Sequence, residues 1–439
     1  MNSFPSTRLR FFMVFWRLVW VVGLPIILIY LWRRGRRDPL YAKHMAERFG
    51  QYAPVSGEHV WIHAVSLGEM RSALPLTRAL LDRGEQVVTT HFTPAGRRET
   101  ERAFPDEVAS GQLRPVWVPF DDRRAYRRFF KTFRPKYGLV MEVELWPGMI
   151  MSCHAQGVPL YQCNGQYPTR SFERDRDKWL SRVQLVPGLA GAMVKNKVQA
   201  DRFRSIGQTN VAITGELRFD QAVPETQRHA ADRVRPRLAG SRPVVTFASV
   251  VKGEDAAFLK AMRMALTHAE ETGAPRPFFV YVPRAPERFD QTTELLENAA
   301  LNTIRRSMAL NDAFDPASDM SGADVLLGDS LGEMFFYLGL SDQVVVGGGF
   351  VAQGSHNIIE PLVMHKPVIV GPEIWTIEFP AYEAIEAGVC RQLSADDLGP
   401  ALSQPAPQPD INGFLATHGG SVDKILAAID AFQTGKGAA

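Results

Sequence analysis

The chain has 439 residues, enough for two to three domains of ordinary size. Hydrophobic residues make up 45% and charged residues 22%, which is the composition of a globular protein. The three cysteines predict neither a disulfide framework nor a metal site and favour a reducing compartment. The net charge is only +3, but basic residues crowd the first third, which indicates an anionic partner, either lipid or phosphorylated substrate. The sequence contains no P-loop, Ser-His-Asp pattern or nucleic-acid motif.

Residues 11–32 form a mostly apolar run whose length suits one membrane span. Because Arg17 interrupts the run and Pro25 could kink it, the helix either spans the membrane or inserts only partly. No small-residue cleavage site follows, but four arginines do, so we expect a retained membrane anchor over residues 1–36 rather than a signal peptide. The downstream flank is the more basic one, which predicts that the domains after the anchor are cytoplasmic.

After a basic connector, strand and helix patterns alternate at short spacing, with a helix expected over residues 70–81. This alternation predicts a parallel, doubly wound α/β sheet in a first domain over residues 37–221. The expected strands cover residues 60–65, 86–91, 116–119 and 138–142.

Residues 222–242 are rich in charge and proline and have no strand pattern, which predicts a linker. A second alternation predicts a second α/β domain over residues 243–439, with a helix at residues 421–432 near its end. Ligands of such sheets bind beyond the carboxyl ends of the strands. The expected strands of the second domain cover residues 244–248, 278–282, 324–327, 343–346 and 367–370.

The most informative local signal is a glycine-rich turn within residues 344–372. Three consecutive glycines at 347–349 would let the backbone approach a ligand closely, since no Cβ stands in the way. A helix is expected to open at residues 355–357, and helix N-termini suit phosphates. The pattern indicates a nucleotide site. Asn357 and Glu360 also match a capping box, so a capped helix without a ligand is the alternative.

Two acidic motifs follow strands of the first domain. Glu69 is expected on the first helical turn after residues 60–65, where it could act as a general base, although Ser66 and Glu69 also match a capping box. Glu142 and Glu144 lie two residues apart at a strand end, so their side chains are expected to point the same way. They could position a substrate or stabilise a developing charge; the alternative is a pair of solvated carboxylates.

Two further motifs follow strands of the second domain. Arg284 and Arg288 come after residues 278–282 with the i, i+4 spacing that places both on one helix face. They would suit a phosphate or carboxylate, and an ordinary salt-bridged helix start is the alternative. A third Ser-x-x-Glu pattern, at Ser330 and Glu333, is weak on its own.

Residues 121–136 predict a helix with one aromatic face and a largely basic remainder. The commoner interpretation of such a helix is a crossover helix whose basic face is solvated. The alternative is contact with an anionic membrane or an acceptor lipid.

Taken together, in this order and spacing, the motifs resemble the 3-deoxy-D-manno-octulosonic acid (Kdo) transferases of lipopolysaccharide synthesis. The resemblance covers most of the chain, from the apolar run to about residue 372. No single segment is decisive, but the ordered set is highly specific. The matching segments are residues 47–50, 63–69, 142–147, 215–220, 283–289, 332–333 and 354–361.

The resemblance implies a GT-B glycosyltransferase fold, in which two Rossmann-like domains face a cleft, with the acceptor on the N-terminal domain and the donor on the C-terminal one. It implies an inverting transfer of Kdo from CMP-Kdo to the lipid A precursor, with no metal and no other cofactor. The expected location is the bacterial inner membrane, with the catalytic domains on the cytoplasmic side. The expected partners are the CMP-Kdo donor, the lipid A precursor and an anionic lipid surface, without nucleic acid.

Carried over by motif, the resemblance also implies residue roles. Glu69 would be the general base. Glu142 and Glu144, with Arg218, would stabilise the transition state. The CMP-binding residues would be Pro283, Arg284, Arg288, Gly332, Glu333, Met334, Gly348, Asn357, Ile358, Ile359 and Glu360.

The sequence departs from the family pattern near both expected substrates. Arg218 stands where the family usually has Lys, and Glu216 stands where it usually has Asn. Two alternatives therefore stay open: a CMP-sugar-dependent paralogue that acts on another glycolipid, and a membrane-tethered nucleotide-binding protein with weakened catalysis. Further departures lie at residues 164–167, 249–254, 285, 349 and 355.

Overall fold

A computed structural model describes residues 4–176, 178–318, 320 and 322–435, so the ends of the predicted ranges at residues 1–3 and 436–439 lie outside the described residues. The chain divides into two compact units. The first comprises the residues up to Gln221 together with those from Gly419 onward, and the second comprises Ala222–His418. Each unit contains a seven-stranded sheet.

The first unit alternates strands with helices, as the sequence predicts. Its strands are β1 (His59–His63), β2 (Val87–His91), β3 (Leu113–Trp117), β4 (Pro135–Met141), β5 (Leu160–Gly165), β6 (Gly191–Val194) and β7 (Val211–Ile213). Its helices are α1 (Thr7–Gly35), α2 (Met45–Arg48), α3 (Leu67–Asp82), α4 (Pro94–Ala103), α5 (Pro105–Ser110), α6 (Arg123–Phe133), α7 (Pro147–Gln156), α8 (Thr169–Arg176), α9 (Arg182–Leu185) and α10 (Lys197–Ser205), with 3₁₀ turns at Pro39–Tyr41, Val186–Gly188 and Leu217–Asp220. The strand order is β3-β2-β1-β4-β5-β6-β7, all parallel.

The second unit repeats this alternation. Its strands are β8 (Val244–Val250), β9 (Phe278–Pro283), β10 (Thr303–Arg305), β11 (Val325–Leu327), β12 (Gln343–Val346), β13 (Val368–Val370) and β14 (Cys390–Gln392). Its helices are α11 (Glu225–Leu238), α12 (Asp255–Thr272), α13 (Phe289–Asn298), α14 (Arg306–Ala309), α15 (Met334–Leu340), α16 (Ile359–Val363), α17 (Glu378–Glu386), α18 (Ala395–Leu402) and α19 (Ile411–His418), with a 3₁₀ turn at Pro286–Arg288. The strand order is β10-β11-β9-β8-β12-β13-β14, again all parallel.

Helices cover both faces of the first sheet, so its central strands are buried on both sides. Along β1, Val60 and Ile62 belong to the apolar cluster that contains Leu76 of α3. Trp61 points to the opposite face and packs against Phe129 of α6, with 4.9 Å between the ring centroids. The aromatic face of α6 is therefore core, as expected of a crossover helix.

Two predicted boundaries differ from the structure. Residues 222–242, expected to be a linker, contain helix α11, whose buried Ala231 and Val234 pack within the second unit. The last helix, α20 (Ser421–Gln433), belongs to the first unit rather than to the expected domain of residues 243–439. Two backbone N–H groups at its start, those of Gly420 and Val422, donate to the Asp220 carboxylate at 2.8 and 2.7 Å.

Helix α1 is long and apolar enough to cross a membrane, and it runs without a break through Pro25. One face of α1 contacts the rest of the first unit, where Trp16 Nε1 donates to Asp121 Oδ2 at 3.0 Å. The apolar side chains of another face are exposed, and they are Phe11, Val14, Phe15, Leu18, Val21, Val22, Ile26 and Ile29.

The glycine-rich loop after β12 lies directly against the chain that leaves β13. A Cβ on Gly371 would collide with the backbone of Gly349 and Phe350. The φ angle of Gly371 does not lie in the left-handed region, so close packing alone demands glycine there.

We expect Gly371→Ala to destabilise the second unit by about 1–3 kcal/mol, because the added methyl group forces two backbone segments apart. Gly68→Ala is the matched control, since a Cβ there meets no atom within 4 Å. Thermal unfolding of both variants checks this expectation. Equal melting temperatures for the two variants would contradict it.

Candidate active site

The carboxyl ends of β1 and β4 bring the predicted acidic motifs together. The two strands are neighbours in the first sheet and run parallel, so both end at the same edge. Glu69 lies in the first turn of α3, shortly after β1, and Glu142 directly follows β4. The sheet therefore places two predicted catalytic residues side by side although they are far apart in sequence.

Glu69 caps helix α3 and also has a carboxylate with a raised pKa. Its Oε2 accepts from the backbone N–H of Ser66 at 3.0 Å, and its own N–H donates to Ser66 Oγ at 3.4 Å, which completes the predicted capping box. The residue is 6% exposed. Burial, followed by the charges of Glu144 and Glu142, raises the pKa of Glu69 to about 7. A carboxylate with this pKa can accept and return a proton near neutral pH.

Glu142 and Arg218 form an ion pair that a serine bridges. Arg218 Nη2 lies 3.2 Å from Glu142 Oε1, and Arg218 Nε donates to Ser72 Oγ at 2.7 Å. Ser72 in turn donates to Glu142 Oε1 at 3.1 Å. The sequence analysis missed Ser72, although its position three residues after Glu69 places both on one face of α3.

Glu144 does not share the environment of Glu142 in the way that was predicted. The prediction assumed an extended strand through both residues, but β4 ends at Met141 and Glu142 has a left-handed φ of 52°. Glu144 Oε2 instead accepts from Trp146 Nε1 at 2.7 Å. Because the charge of Glu144 raises the pKa of Glu69 more than that of Glu142 does, Glu144 remains part of the same carboxylate group.

A buried ion pair fixes the turn that carries Arg218. Lys195 Nζ lies 2.6 Å from Glu216 Oε2, and the two side chains are 5% and 2% exposed. Asn164 Nδ2 donates to Glu216 Oε1 at 2.7 Å, and Asn164 Oδ1 accepts from the Leu217 N–H at 3.2 Å. Burial favours the neutral form of Glu216, but Lys195 and Arg218 hold its pKa below its usual range. Glu216 is therefore an ionised, paired carboxylate, and the sequence analysis gave no sign of its partner Lys195.

In the second unit, the predicted donor residues follow three strands that end at one edge of the sheet. Pro283 is the buried last residue of β9, and Arg284 after it is exposed. Gly332, Glu333 and Met334 follow β11, and residues 347–360 follow β12. With β8 between them, these strands are consecutive in the order β11-β9-β8-β12.

A buried carboxylate holds the glycine-rich loop. Glu254 is fully buried, and its Oε1 accepts from the N–H groups of Gly348 at 2.6 Å and Phe350 at 3.2 Å. Its Oε2 accepts from the Val251 N–H at 3.0 Å. Gly348 is one of the residues predicted to bind CMP, but its N–H already donates to the Glu254 side chain. Sequence reasoning missed Glu254, which lies almost a hundred residues before the loop.

The helix expected to open at residues 355–357 begins later. Helix α16 starts at Ile359 with Ile358 as its N-cap, so Asn357 and Glu360 do not occupy the N-cap and N3 positions of a capping box. The predicted helix start at residues 355–357 and the capping-box alternative are therefore wrong. Asn357 Oδ1 instead accepts from the Ile359 N–H at 2.9 Å. Ile358 and Ile359 are buried in the core, so the main chain is the part of these residues that remains for ligand contact.

The two predicted phosphate-binding arginines have different surroundings. Arg288 Nη2 contacts both carboxylate oxygens of Asp255, at 2.7 and 2.6 Å, which fits the salt-bridge alternative. Arg284 lies beside the glycine-rich loop, where burial together with the Arg284 charge lowers the pKa of His356. The His356 N–H donates to the Gly347 carbonyl at 3.0 Å.

Glu333 is also engaged within the chain. Its two carboxylate oxygens accept from Arg306 Nε and Nη2, each at 2.7 Å. Ser330 Oγ donates to the same carboxylate, but α15 begins at Met334 with Glu333 as its N-cap, so Ser330 and Glu333 form no capping box. Gly332 before it has a φ of 81° and fits a turn that favours glycine.

Comparison with known proteins identifies the family of the chain. The family model for 3-deoxy-D-manno-octulosonic-acid transferase (kdotransferase) matches residues 43–221. A 3-deoxy-D-manno-octulosonic acid transferase of Bordetella pertussis is 37% identical over 426 residues, which cover 92% of this chain and 96% of that protein. The transferase of Haemophilus influenzae is 31% identical over 404 residues, 89% of this chain and 88% of that protein.

Solved structures agree on the fold alone. A crystal structure of a UDP-N-acetylglucosamine 2-epimerase aligns with a TM-score of 0.53 at 11% identity, covering 87% of this chain and 97% of that one. MnaA of S. aureus, solved with UDP, gives a TM-score of 0.50 at 11% identity, covering 86% and 97%. The predicted GT-B glycosyltransferase fold, built from two Rossmann-like units, is confirmed. Since relatives of 37% and 31% identity match along most of their length, the chain belongs to the Kdo transferase family of glycosyltransferases.

Proposed function

We propose that this protein transfers Kdo from CMP-Kdo to the lipid A precursor, with inversion at the anomeric carbon. The observation that carries the proposal is Glu69, a buried carboxylate whose pKa is raised to about 7 beside the ion pair of Glu142 and Arg218. A transferase needs such a group because a sugar hydroxyl becomes a good nucleophile only as it loses its proton.

In the proposed reaction, Glu69 accepts the proton of the acceptor hydroxyl. The hydroxyl oxygen forms a bond to the anomeric carbon of Kdo while the bond to the CMP phosphate oxygen breaks, and CMP leaves with the electron pair. A single displacement of this kind inverts the anomeric centre. Arg218, held in place by Ser72 and Glu142, supplies positive charge near the developing negative charge.

The second unit would bind the donor. Arg284 is an exposed cation beside the glycine-rich loop, and it would contact the CMP phosphate. Arg288 and Glu333 would support the site indirectly, since each forms an ion pair within the chain. Arginine side chains supply the positive charge, so the proposed reaction requires no metal ion.

We further propose that α1 holds the enzyme at the cytoplasmic face of the bacterial inner membrane. The exposed apolar side chains of α1 support attachment to a membrane, as does its length. A lipid acceptor is consistent with an enzyme that stays at the membrane surface.

Incubation of the full chain with CMP-Kdo and lipid A precursor tests the proposed transfer, and the product mass gives the number of sugars added. If the lipid A precursor stays unmodified and another glycolipid receives Kdo, the protein is a paralogue with a different acceptor.

We expect Glu69→Gln to lower kcat by about 10²-fold or more, because the base is lost. Glutamine can keep the capping box, so CMP binding measured by calorimetry should be retained. Glu99→Gln is the matched control, since Glu99 is a buried glutamate of the same unit that pairs with Arg71 and Arg102. Wild-type turnover by Glu69→Gln would refute the base assignment.

The raised pKa of Glu69 predicts two pH dependences. kcat/KM should rise with pH through about 7 as Glu69 loses its proton. Because the folded pKa of about 7 exceeds the ordinary value of 4.5, the folded state binds the proton more tightly, and the contribution of Glu69 to stability falls as pH rises between these values. The difference in unfolding free energy between wild type and Glu69→Gln should therefore change over this interval. A constant difference from pH 4.5 to 7 would contradict the pKa assignment.

We expect Arg218→Met to lower kcat by about 10²-fold, since it removes the cation that pairs with Glu142. Arg218→Lys should retain more activity, because it keeps the charge but loses the planar contact with Ser72. Arg182→Met is the control, since Arg182 pairs with Asp175 at 3.0 Å elsewhere in the first unit. Equal rates for Arg218→Met and the control would exclude Arg218 from the mechanism.

A further inference from the structure

An apolar groove of about 610 Å³ lies between part of α1 and the body of the first unit. One wall comes from α1, including Ile27 and Trp20, and the other from residues 118–121 and 145–147. Its volume lies within the range of ligand pockets. Because α1 also exposes apolar side chains on another face, the groove is bounded by an element suited to the membrane.

The groove contains one buried cation whose donors are not satisfied. Arg48 lines the groove and is fully buried. Among the described residues, neither its Nε nor its Nη1 has a hydrogen-bond partner, and its Nη2 makes only a long contact of 3.4 Å with the Phe92 carbonyl. The neighbouring Glu47 is engaged elsewhere, since its Oε2 accepts from Arg97 at 2.9 Å and from the Trp117 N–H at 2.7 Å.

Unsatisfied donors of this kind are costly unless a ligand supplies an acceptor. Burial lowers the pKa of Arg48 to about 10, so the side chain remains charged at neutral pH. The rings of Trp117 and Phe92 lie 4.4 and 5.5 Å from its guanidinium carbon and provide apolar surroundings. The groove therefore suits a molecule with a long apolar part and an oxygen at one end.

The groove is linked to the candidate catalytic carboxylates through Trp146. Leu145 and Trp146 line it, and Trp146 Nε1 donates to Glu144, whose charge raises the pKa of Glu69. A lipid lying in the groove would therefore contact a tryptophan that is hydrogen-bonded to Glu144. This continuity favours the acceptor over an unrelated membrane lipid.

We propose that the groove binds one acyl chain of the acceptor glycolipid, with an oxygen at the polar end of that chain accepting from Arg48. The inference rests on the proposed function in one respect, that the acceptor is a glycolipid. It adds that α1 forms part of the acceptor site as well as contacting the membrane.

Photolabelling of the full chain with a lipid A precursor that carries a diazirine in one acyl chain tests the groove. CMP-Kdo is left out, so the result does not depend on transfer. We expect labelled peptides from α1 and from residues 118–120. Ile27→Trp fills the groove and should reduce labelling by about tenfold. Ile29→Trp, the same change on an exposed residue outside the groove, should label like wild type.

Arg48→Met and Arg48→Lys complete the test. Arg48→Met should weaken labelling more than Arg48→Lys, because methionine offers no donor. Arg48 is fully buried, so if either variant fails to fold, the comparison of Ile27→Trp with Ile29→Trp decides.

Equal labelling of Ile27→Trp and Ile29→Trp would overturn the proposal that an acyl chain binds in the groove. Equal displacement of the probe by a phospholipid of matched chain length would overturn the acceptor assignment. Specific labelling without Kdo transfer would support lipid binding in the groove and reject the proposed function. Kdo transfer with unspecific labelling would support the proposed function and reject lipid binding in the groove.

Discussion

In a wholly parallel sheet every strand ends at the same edge, and every helix that follows a strand begins there. Both sheets of this protein obey that constraint. It brings Glu69 and Glu142 together after β1 and β4, and in the second unit it gathers Arg284, Gly332 and the glycine-rich loop after β9, β11 and β12. The chemistry proposed for each unit depends first on this shared edge.

Buried carboxylates organise the loops at these edges. Glu254 accepts three backbone N–H groups and fixes the glycine-rich loop, and Asp121 accepts from the N–H groups of Gly148 and Met149 at the start of α7. Burial raises the pKa of Asp121 to about 6. Glu69 has the same structural role at the start of α3. Burial, together with the charges of Glu144 and Glu142, makes this helix cap a group that titrates near neutral pH.

The alternation of strands and helices was predictable because it depends on local hydrophobic patterns, and the capping box of Glu69 was predictable because both partners lie within four residues. The predictions that failed or were incomplete depend on distant partners. Arg288 pairs with Asp255, Glu333 pairs with Arg306, and the N–H of Gly348 is bound by Glu254. The expected linker is a helix that contains Pro236, a residue that ordinarily signals a break.

The departure from the family pattern at Glu216 gains a physical explanation from its surroundings. An unpaired carboxylate two residues before Arg218 would attract the arginine away from Glu142. Lys195 prevents this, because it pairs with Glu216 at 2.6 Å in a buried site, and Asn164 accounts for the second carboxylate oxygen. Breaking such a pair by removing one partner is costly, since it leaves a buried charge uncompensated. Lys195 and Glu216 therefore act as one structural unit, which supports the turn of Arg218 and leaves its ion pair with Glu142 intact.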